Sequence, residues 1–446
     1  MAPDGSAEAG GDATTTEGST DARLGDGPQL LDGISLGDGG VGTVQGKVVD
    51  DYLLPMAGIG VHCQGQTATT ATDGTFTLAA ITRPYSVTVV VPQATAGRKH
   101  GYVFEGVSRF DPTLQLAAEQ SQVTQTTMLS GTVSTGGPSG AGMVFADFPA
   151  ATPATLSPTI PIEIGAALYS GSLSWCGHST ASPTLYALQW DTTSNLPSSY
   201  TALGSSMQTL TDGVASLWTP GQISTVGSGS MTVTVTPSSG YFAVDIGVYF
   251  RPQGAGVAVP IQHGVHTGST MSTVVTPDVA GATFVACGLQ VLDGYDGGTT
   301  SPFGAACSAG LGPSASPTLQ PPPATLFASP PSTAGVGSVF DYAALSGGVY
   351  FVSFSPVGSA ATTSDALFIV TAGTQVTIPD LSGVLVGFHG GDALTAEVVG
   401  IAPFSGIDEA LAPAGFAERM TDRRLDTGPS TSGSLAYSGV AAFTAQ

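Results

Sequence analysis

Cysteine, histidine and carboxylate are the side chains to weigh first, because they carry most nucleophilic, metal and acid–base chemistry. The one close pair of histidines is His263 and His266, in the sequence HGVH. Three apart on a strand they point to opposite faces, whereas a glycine-containing loop lets them converge. No glutamate stands between them and no helix signal surrounds them, so zincin chemistry is excluded and solvated loop histidines are the better reading. Trp175-Cys176-Gly177-His178 sets a thiol beside an imidazole in sequence. Such a pair works only when a general base meets the thiolate in space, and a cysteine in a strand ending at a turn reads as structural. Carboxylates are plentiful, among them Asp147, Glu163, Asp191 and Asp245. Glycoside hydrolysis needs two of them around one bond, one in an apolar pocket, and the sequence shows no such pairing. A nucleophile elbow in a strand-to-helix setting is absent, and neither Lys47 nor Lys99 completes S-x-x-K. Asp293-Gly-Tyr-Asp-Gly-Gly298 and the run DGISLGDGG from Asp32 to Gly40 have calcium-like Asp/Gly spacing. Neither completes an EF-hand ladder or a tandem nonapeptide, so both read as turn residues or tether.

Two features survive as candidate sites, neither of them catalytic. The four cysteines, Cys63, Cys176, Cys287 and Cys307, allow three pairings and show no CxxC spacing. Cys287 and Cys307 bracket the Gly-rich segment GLQVLDGYDGGTTSPFGAA and read as the base of a bridged loop. Closing a loop of that size contributes about 3 kcal/mol in the chain-entropy model. Cys63 follows Ile59 and Val61 at strand period and reads as a buried thiol. The second feature is aromatic. Trp190, Trp218, Tyr241 and Tyr249 are candidates for a carbohydrate-stacking face. If Phe242, Val244 and Ile246 point inward, Tyr241, Asp245 and Tyr249 form an outward strip suited to a sugar or protein contact. No metal, cofactor or catalytic residue is expected.

The elements that must position these residues follow from composition. At 446 residues the chain exceeds one ordinary core. Charged residues make up only 9%, against roughly 25% in an average soluble domain, while Gly (62) and Pro (31) are abundant. Such a chain is poor in helix formers and rich in turn and β-branched residues. The net charge of −22, with two lysines, leaves nothing to neutralise phosphates, which excludes nucleic-acid binding. The same charge opposes docking on anionic lipid. Mean hydropathy is positive, yet no run reaches the ~18 apolar residues of a membrane span. The opening residues, Met1-Ala-Pro-Asp-Gly-Ser, show no signal peptide. Two explanations stay open: a cytoplasmic protein, or a chain that begins after processing.

Along the chain, residues 1–42 include GSAEAGGDATTTEGSTDARLGDG, which cannot bury enough surface to offset its ordering entropy and reads as a disordered acidic tether. It resembles the tethers of bacterial surface lipoproteins, which implies a lipid anchor upstream. From Val44 strands follow one another: VQGKVVD, LPMAGIGVHC, TATDGTFTL with Asp73-Gly74 at its turn, and YSVTVVV. This order resembles the carboxypeptidase regulatory-like domain over about residues 43–128, a small transthyretin-like β-sandwich. The resemblance implies a non-catalytic accessory module. A second start at Met128-Leu-Ser-Gly-Thr-Val-Ser134 opens residues 129–312, read as one enlarged sandwich, with two smaller ones as the alternative. Within it Met231–Thr236, a Ser238-Ser239-Gly240 turn and Phe242–Phe250 give a hairpin signal. Prolines then cluster from Pro313 to Pro331. Residues 320–446, with VTIPDL and ALTAEVVGIAP, resemble a fibronectin type III-like sandwich within a unit spanning 313–446. Ile407–Met420 is expected to form a short helix capped by Asp408 or Ser405, and Leu435–Thr444 a closing strand.

The expected architecture is all-β, with several Greek-key-type β-sandwich domains in tandem after the tether. The expected function is a non-catalytic extracellular or cell-surface structural or adhesive protein presenting loops, with surface proteins or glycans as partners. A carbohydrate-binding or substrate-presenting module and a hydrolase with dispersed catalytic residues stand as alternatives.

Overall fold

The computed structural model describes residues 40–446, apart from 94–96, 118, 120, 122, 134–139, 150–153, 157–158, 164–166, 194–195, 221, 266–269, 294–300, 358–363, 385, 414 and 417–430. The expected tether, residues 1–42, lies almost wholly outside the described residues. What is described is all-β: strands numbering 33, one four-residue helix at Ile407–Ala410 and one 3-10 turn at Ser382–Val384. Alternation at period two, broken by glycine and proline, leaves the backbone no helical stretch in which to bury one face.

A single long sheet organises the molecule. From one edge its strands run Val259–Val265, Tyr241–Arg251, Thr283–Leu292, Phe303–Leu311, Gly433–Tyr437, Ala393–Ala402, Val349–Pro356, Ala366–Thr371, Lys99–Val107, Tyr85–Pro92, Gly60–Cys63 and Gln66–Thr69. Residues from all three expected sandwiches therefore share one hydrogen-bonded ladder. Phe303–Leu311 pairs antiparallel with Gly433–Tyr437, and Ala366–Thr371 pairs parallel with Lys99–Val107. The successive sandwiches are fused edge to edge, and Val41–Gln446 holds together as one unit.

Alternation sorts the side chains of that sheet onto two faces. On one face a core runs from Phe104 and Tyr102 through Val370, Val349, Val399 and Leu435 to Cys307, Cys287, Val285 and Tyr249. The other face carries two cores. One gathers Ile246, Val248, Phe250, Phe284, Ala286 and Ala306. The second gathers Val103, Ile369, Val352, Phe354, Val398 and Ala436. Neighbours such as Val248 and Tyr249 thus enter different cores, as a pleat requires.

Over the first core lies a three-stranded sheet in the order Thr75–Thr82, Val41–Asp50, Thr113–Leu116. Its inward Val44, Val48, Phe76, Leu78 and Leu114 meet Val61, Val87, Val89 and Phe104. The Asp73-Gly74 turn forms as its residues dictate: Asp73 Oδ1 accepts from Thr75 N–H at 3.1 Å and Thr75 Oγ at 2.7 Å. Gly74 has φ +78°, and a Cβ there would sit 2.6 Å from the Val48 carbonyl, so this turn demands glycine.

The expected hairpin does not form. Gly227–Val235 pairs with Met271–Asp278 and Thr318–Leu319 in a separate sheet. Tyr241–Arg251 instead has both edges taken, by Val259–Val265 and Thr283–Leu292. The chain arches from one sheet to the other, so that Met231, Val233 and Val235 face Ile246 and Val248 across a core. The connection is held by Ser238 N–H, which donates to the Gln290 side chain at 2.7 Å. Two runs of alternating residues around a turn are equally compatible with pairing and with facing; burial on both sides of Tyr241–Arg251 decides for facing.

Residues 124–225 supply a nine-stranded sheet, with Trp175, Tyr169, Leu173 and Trp218 on one side of it. Met143, Phe145, Tyr186 and Leu188 on its other side join the core beneath Tyr241–Arg251. Region 129–312 therefore holds two cores that share this sheet. The expected helix shrinks to Ile407–Ala410, preceded by Gly406 without a side-chain cap; residues 417–420 of the expected span lie outside the described residues. Asp408 is not a cap. Its Oδ1 accepts from the N–H groups of Ser108 (2.7 Å) and Arg109 (3.0 Å). The closing segment is two strands, Gly433–Tyr437 and Ala441–Ala445.

Candidate functional site

The structure bonds Cys287 to Cys307 across paired strands, their Cα atoms 4.1 Å apart. They are not at the base of a loop: the ladder continues past them to Val291 opposite Phe303. Both are buried in the core that also holds Tyr249. Cys63 and Cys176 are buried thiols outside any disulfide, and burial pushes the Cys63 thiol up to about 11, which keeps it protonated and inert. His178, the neighbour in the Trp-Cys-Gly-His run, is exposed while Cys176 is fully buried. The Trp175 indole instead donates to the His178 carbonyl at 2.8 Å.

The Tyr241, Asp245 and Tyr249 strip does not form: Tyr241 and Asp245 are half-buried and Tyr249 is sealed. The irregularity between Ala243 and Asp245 puts Tyr241 on the opposite face from Asp245 and Tyr249, while the one between Val248 and Tyr249 adds a residue to the partner strand and leaves their alternation intact. Tyr249 is 0% exposed, within the first core. Tyr241 is half-buried, its hydroxyl accepting from Ala324 N–H at 3.0 Å. Trp218 is buried, with its indole N–H on Ser206 Oγ at 2.8 Å, and Trp190 packs edge-on to Tyr200. These aromatics serve packing. Asp147 serves a loop: its Oδ1 accepts from Gly256 and Val257 N–H at 3.0 and 3.2 Å. Burial holds its carboxyl above the usual carboxylate range, opposed by those two N–H groups and by Arg251. His266 and 294–298 lie outside the described residues, as does nearly all of DGISLGDGG. Among the described residues no three His, Cys, Asp or Glu side chains gather as metal ligands, and no helix is long and apolar enough to cross a membrane.

The concave feature that sequence reasoning missed lies where Ala366–Thr371 joins Lys99–Val107. A groove of about 410 Å³ is lined there by Arg98, Lys99, His100, Tyr102, Phe351, Ser353, Ser355, Ser364, Phe368 and Glu397, among others. It continues the first core's face, against which Phe351 and Phe368 pack. Cross-strand register lines up its floor: Glu397 lies opposite Ser353, Ser353 opposite Phe368, and Phe368 opposite Tyr102. One step along, His100 lies opposite Ala366, whose small side chain deepens the groove.

Its side chains are held from beneath. Phe368 stacks on Tyr102 with ring centroids 4.6 Å apart and planes at 12°, and meets His100 edge-on at 5.6 Å. Glu119, only 9% exposed, accepts from His100 Nδ1 at 2.5 Å, from the Tyr102 hydroxyl at 3.1 Å and from the Gln93 amide at 3.2 Å. The carboxylate fixes the imidazole through Nδ1, leaving Nε2 for the groove. Asp365 bridges the Lys99 N–H (2.8 Å) and the Gly387 N–H (3.0 Å), pinning the cationic run to the opposite strand. The site is thus rigid, aromatic and hydroxyl-lined, with Arg98, Lys99 and His100 consecutive in a chain holding only 10 lysines and arginines. The one sequence signal was that Arg-Lys-His run; the groove residues facing it, Phe351 to Glu397, lie more than 250 residues away, beyond any local pattern.

No family model matches the chain, and no curated protein matches it. Among solved structures it is similar to the Bacillus anthracis TIE protein at 13% identity, covering 63% of this chain and 51% of that one with a TM-score of 0.15. It is also similar to BcpA, the major pilin subunit of Bacillus cereus, at 9% identity, 64% and 100% coverage and a TM-score of 0.13. The major pilin SpaD from Corynebacterium diphtheriae is similar at 7% identity, 63% and 97% coverage and a TM-score of 0.16. The chain spans about half the length of the TIE protein.

Proposed function

We propose that this chain is a non-catalytic structural or adhesive protein of the outer cell surface. The observation that carries this reading is strand continuity: one sheet threads cores contributed by three segments of sequence. A framework of that kind resists local opening and projects its loops, rather than closing over a substrate. In this reading residues 43–128 are a carboxypeptidase regulatory-like module, 129–312 an enlarged sandwich and 313–446 a Pro-rich entry to a fibronectin type III-like sandwich. Residues 1–42 are an acidic tether, with a lipid anchor upstream. The Cys287–Cys307 bond supports an oxidising compartment. Surface proteins or glycans are the partners. Antibody labelling and protease shaving of intact cells test it, together with mass-spectrometric assay of Cys287 and Cys307. The expected result is an outward-facing protein with both cysteines oxidised. Recovery in the cytosol with both thiols alkylatable would overturn the reading.

A further inference from the structure

We propose that the groove where Lys99–Val107 meets Ala366–Thr371 binds a neutral saccharide, one pyranose ring of which slots in beside Phe368. This deepens the adhesive reading, on which it rests for the source of the ligand; the site itself rests on its geometry. Side chains of one sheet face stand here in rows across the strands. One row runs Tyr102, Phe368, Ser353, Glu397. The next holds His100 opposite Ala366, and Ser355 opposite Thr395. Tyr102 and Phe368 stack with centroids 4.6 Å apart and planes at 12°, about one strand spacing. The row then drops to Ser353, whose side chain ends one atom beyond Cβ. Phe368 is half-buried, and its ring face turned away from Tyr102 opens over Ser353 into the groove. The stack is one ring short.

The groups free to meet a ring in that slot suit a neutral one. Arg98, Lys99 and Glu397 are engaged within the protein, and none of them is assigned to the ligand. The Ser353 and Ser355 hydroxyls, two residues apart on one strand and half-buried, have no hydrogen-bond partner among the described residues. His100 has Nδ1 committed to Glu119 at 2.5 Å, so Nε2 is the nitrogen it offers. A ring seated over Ser353 lies about 4.8 Å from Phe368, one further strand spacing, which is inside the range of stacked rings. Hydroxyls then lie beneath it and an imidazole to one side. A pyranose meets both demands, with C–H groups on its faces and hydroxyls around its rim. An aromatic side chain of a partner protein would continue the stack but leave Ser353 and Ser355 unpaired in a slot emptied of water. An anion would find Arg98 and Lys99 already engaged. The volume of about 410 Å³ lies in the range of small-molecule sites. Preorganisation is built in, since Phe368 is fixed by Tyr102, His100 by Glu119 and Phe351, at the inner end, by Phe416.

Calorimetric titration of the purified protein with cellobiose, lactose and di-N-acetylchitobiose, and with N-acetyltyrosinamide as the aromatic rival, tests the assignment. At least one disaccharide is expected to bind, and more tightly than N-acetyltyrosinamide. Its affinity is expected to be unchanged in about 0.5 M salt, since no ion pair is made. Phe368→Ala is expected to weaken that binding about tenfold, and Ser355→Ala about fivefold. Ser353→Phe supplies the missing ring from within and is expected to abolish binding. Thermal unfolding of each variant separates lost binding from lost fold. No binding of any disaccharide, tighter binding of N-acetyltyrosinamide, binding that salt abolishes, or unaltered binding in folded variants would each overturn it. Because the purified protein is used, failure here leaves the surface-display reading standing, and a cytosolic location leaves the groove standing.

Discussion

The strands Tyr241–Arg251 and Ala366–Thr371 carry the same kind of sequence and meet opposite fates. Both hold aromatics, and both lie inside the long sheet. Tyr249 and Phe368 even project from the same face, toward the first core. Tyr249 is sealed beneath it, whereas Phe368 stays half-exposed at the floor of the groove. What differs is the surroundings. Tyr249 packs among Ala258, Val285 and the Cys287–Cys307 pair; beside Phe368 the described residues leave a groove. Alternation decides which face a side chain takes, and distant segments decide whether that face meets water.

That contrast can be broken or sharpened by substitution. Tyr249→Ala is expected to cost about 3–5 kcal/mol of unfolding free energy, as for a buried aromatic, and Phe368→Ala about 1 kcal/mol, the size of one aromatic pair. Urea unfolding measures both, and equal costs would dissolve the comparison. Next in size is the bridge beside Tyr249: the double change Cys287→Ala with Cys307→Ala is expected to cost about 3 kcal/mol in the chain-entropy model. A cost near zero in the same assay would show that the ladder alone holds that end of the core. Asp147 comes last. It anchors the Gly256–Val257 backbone just before Ala258, which packs in the core of Tyr249. Asp147→Ala is expected to cost about 1–3 kcal/mol, because two N–H groups lose their acceptor. Its carboxyl is raised above the ordinary 3.8 by burial, so the folded state binds this proton more tightly than the unfolded state. Its contribution therefore declines as pH rises from about 3.8 through the raised folded value. Asp147→Asn keeps the acceptor oxygen and is expected to remove that decline; unfolding followed across acidic pH reads it.

Much of the strand inventory was legible in the sequence, because period two is a local property. The run from Gly348 to Phe354 emerges as Val349–Pro356, Ala366 to Val370 as Ala366–Thr371, and Leu394 to Val399 as Ala393–Ala402. Pairing was less legible. Met231–Thr236 and Phe242–Phe250 looked like partners, yet the competition for edges was settled by Met271–Asp278 and Thr283–Leu292. The Tyr241, Asp245 and Tyr249 strip failed for two reasons: a one-residue irregularity separates Tyr241 from the other two, and the face that Tyr249 takes is packed in the first core. The groove was illegible. His100 and Phe368 become neighbours only through a parallel pairing across the molecule, and nothing near either residue announces the other.

That parallel pairing bears on how the molecule is made. The backbone of Lys99 is pinned by a side chain 266 residues later in the chain. At ribosomal speeds the gap is on the order of tens of seconds. Until then the Lys99–Val107 strand, already paired on one side with Tyr85–Pro92, leaves its other side unsatisfied, ready to recruit a strand from another nascent copy. Dilution or chaperone cover during that interval should therefore govern the yield of correctly assembled protein more than the stability of the finished fold does.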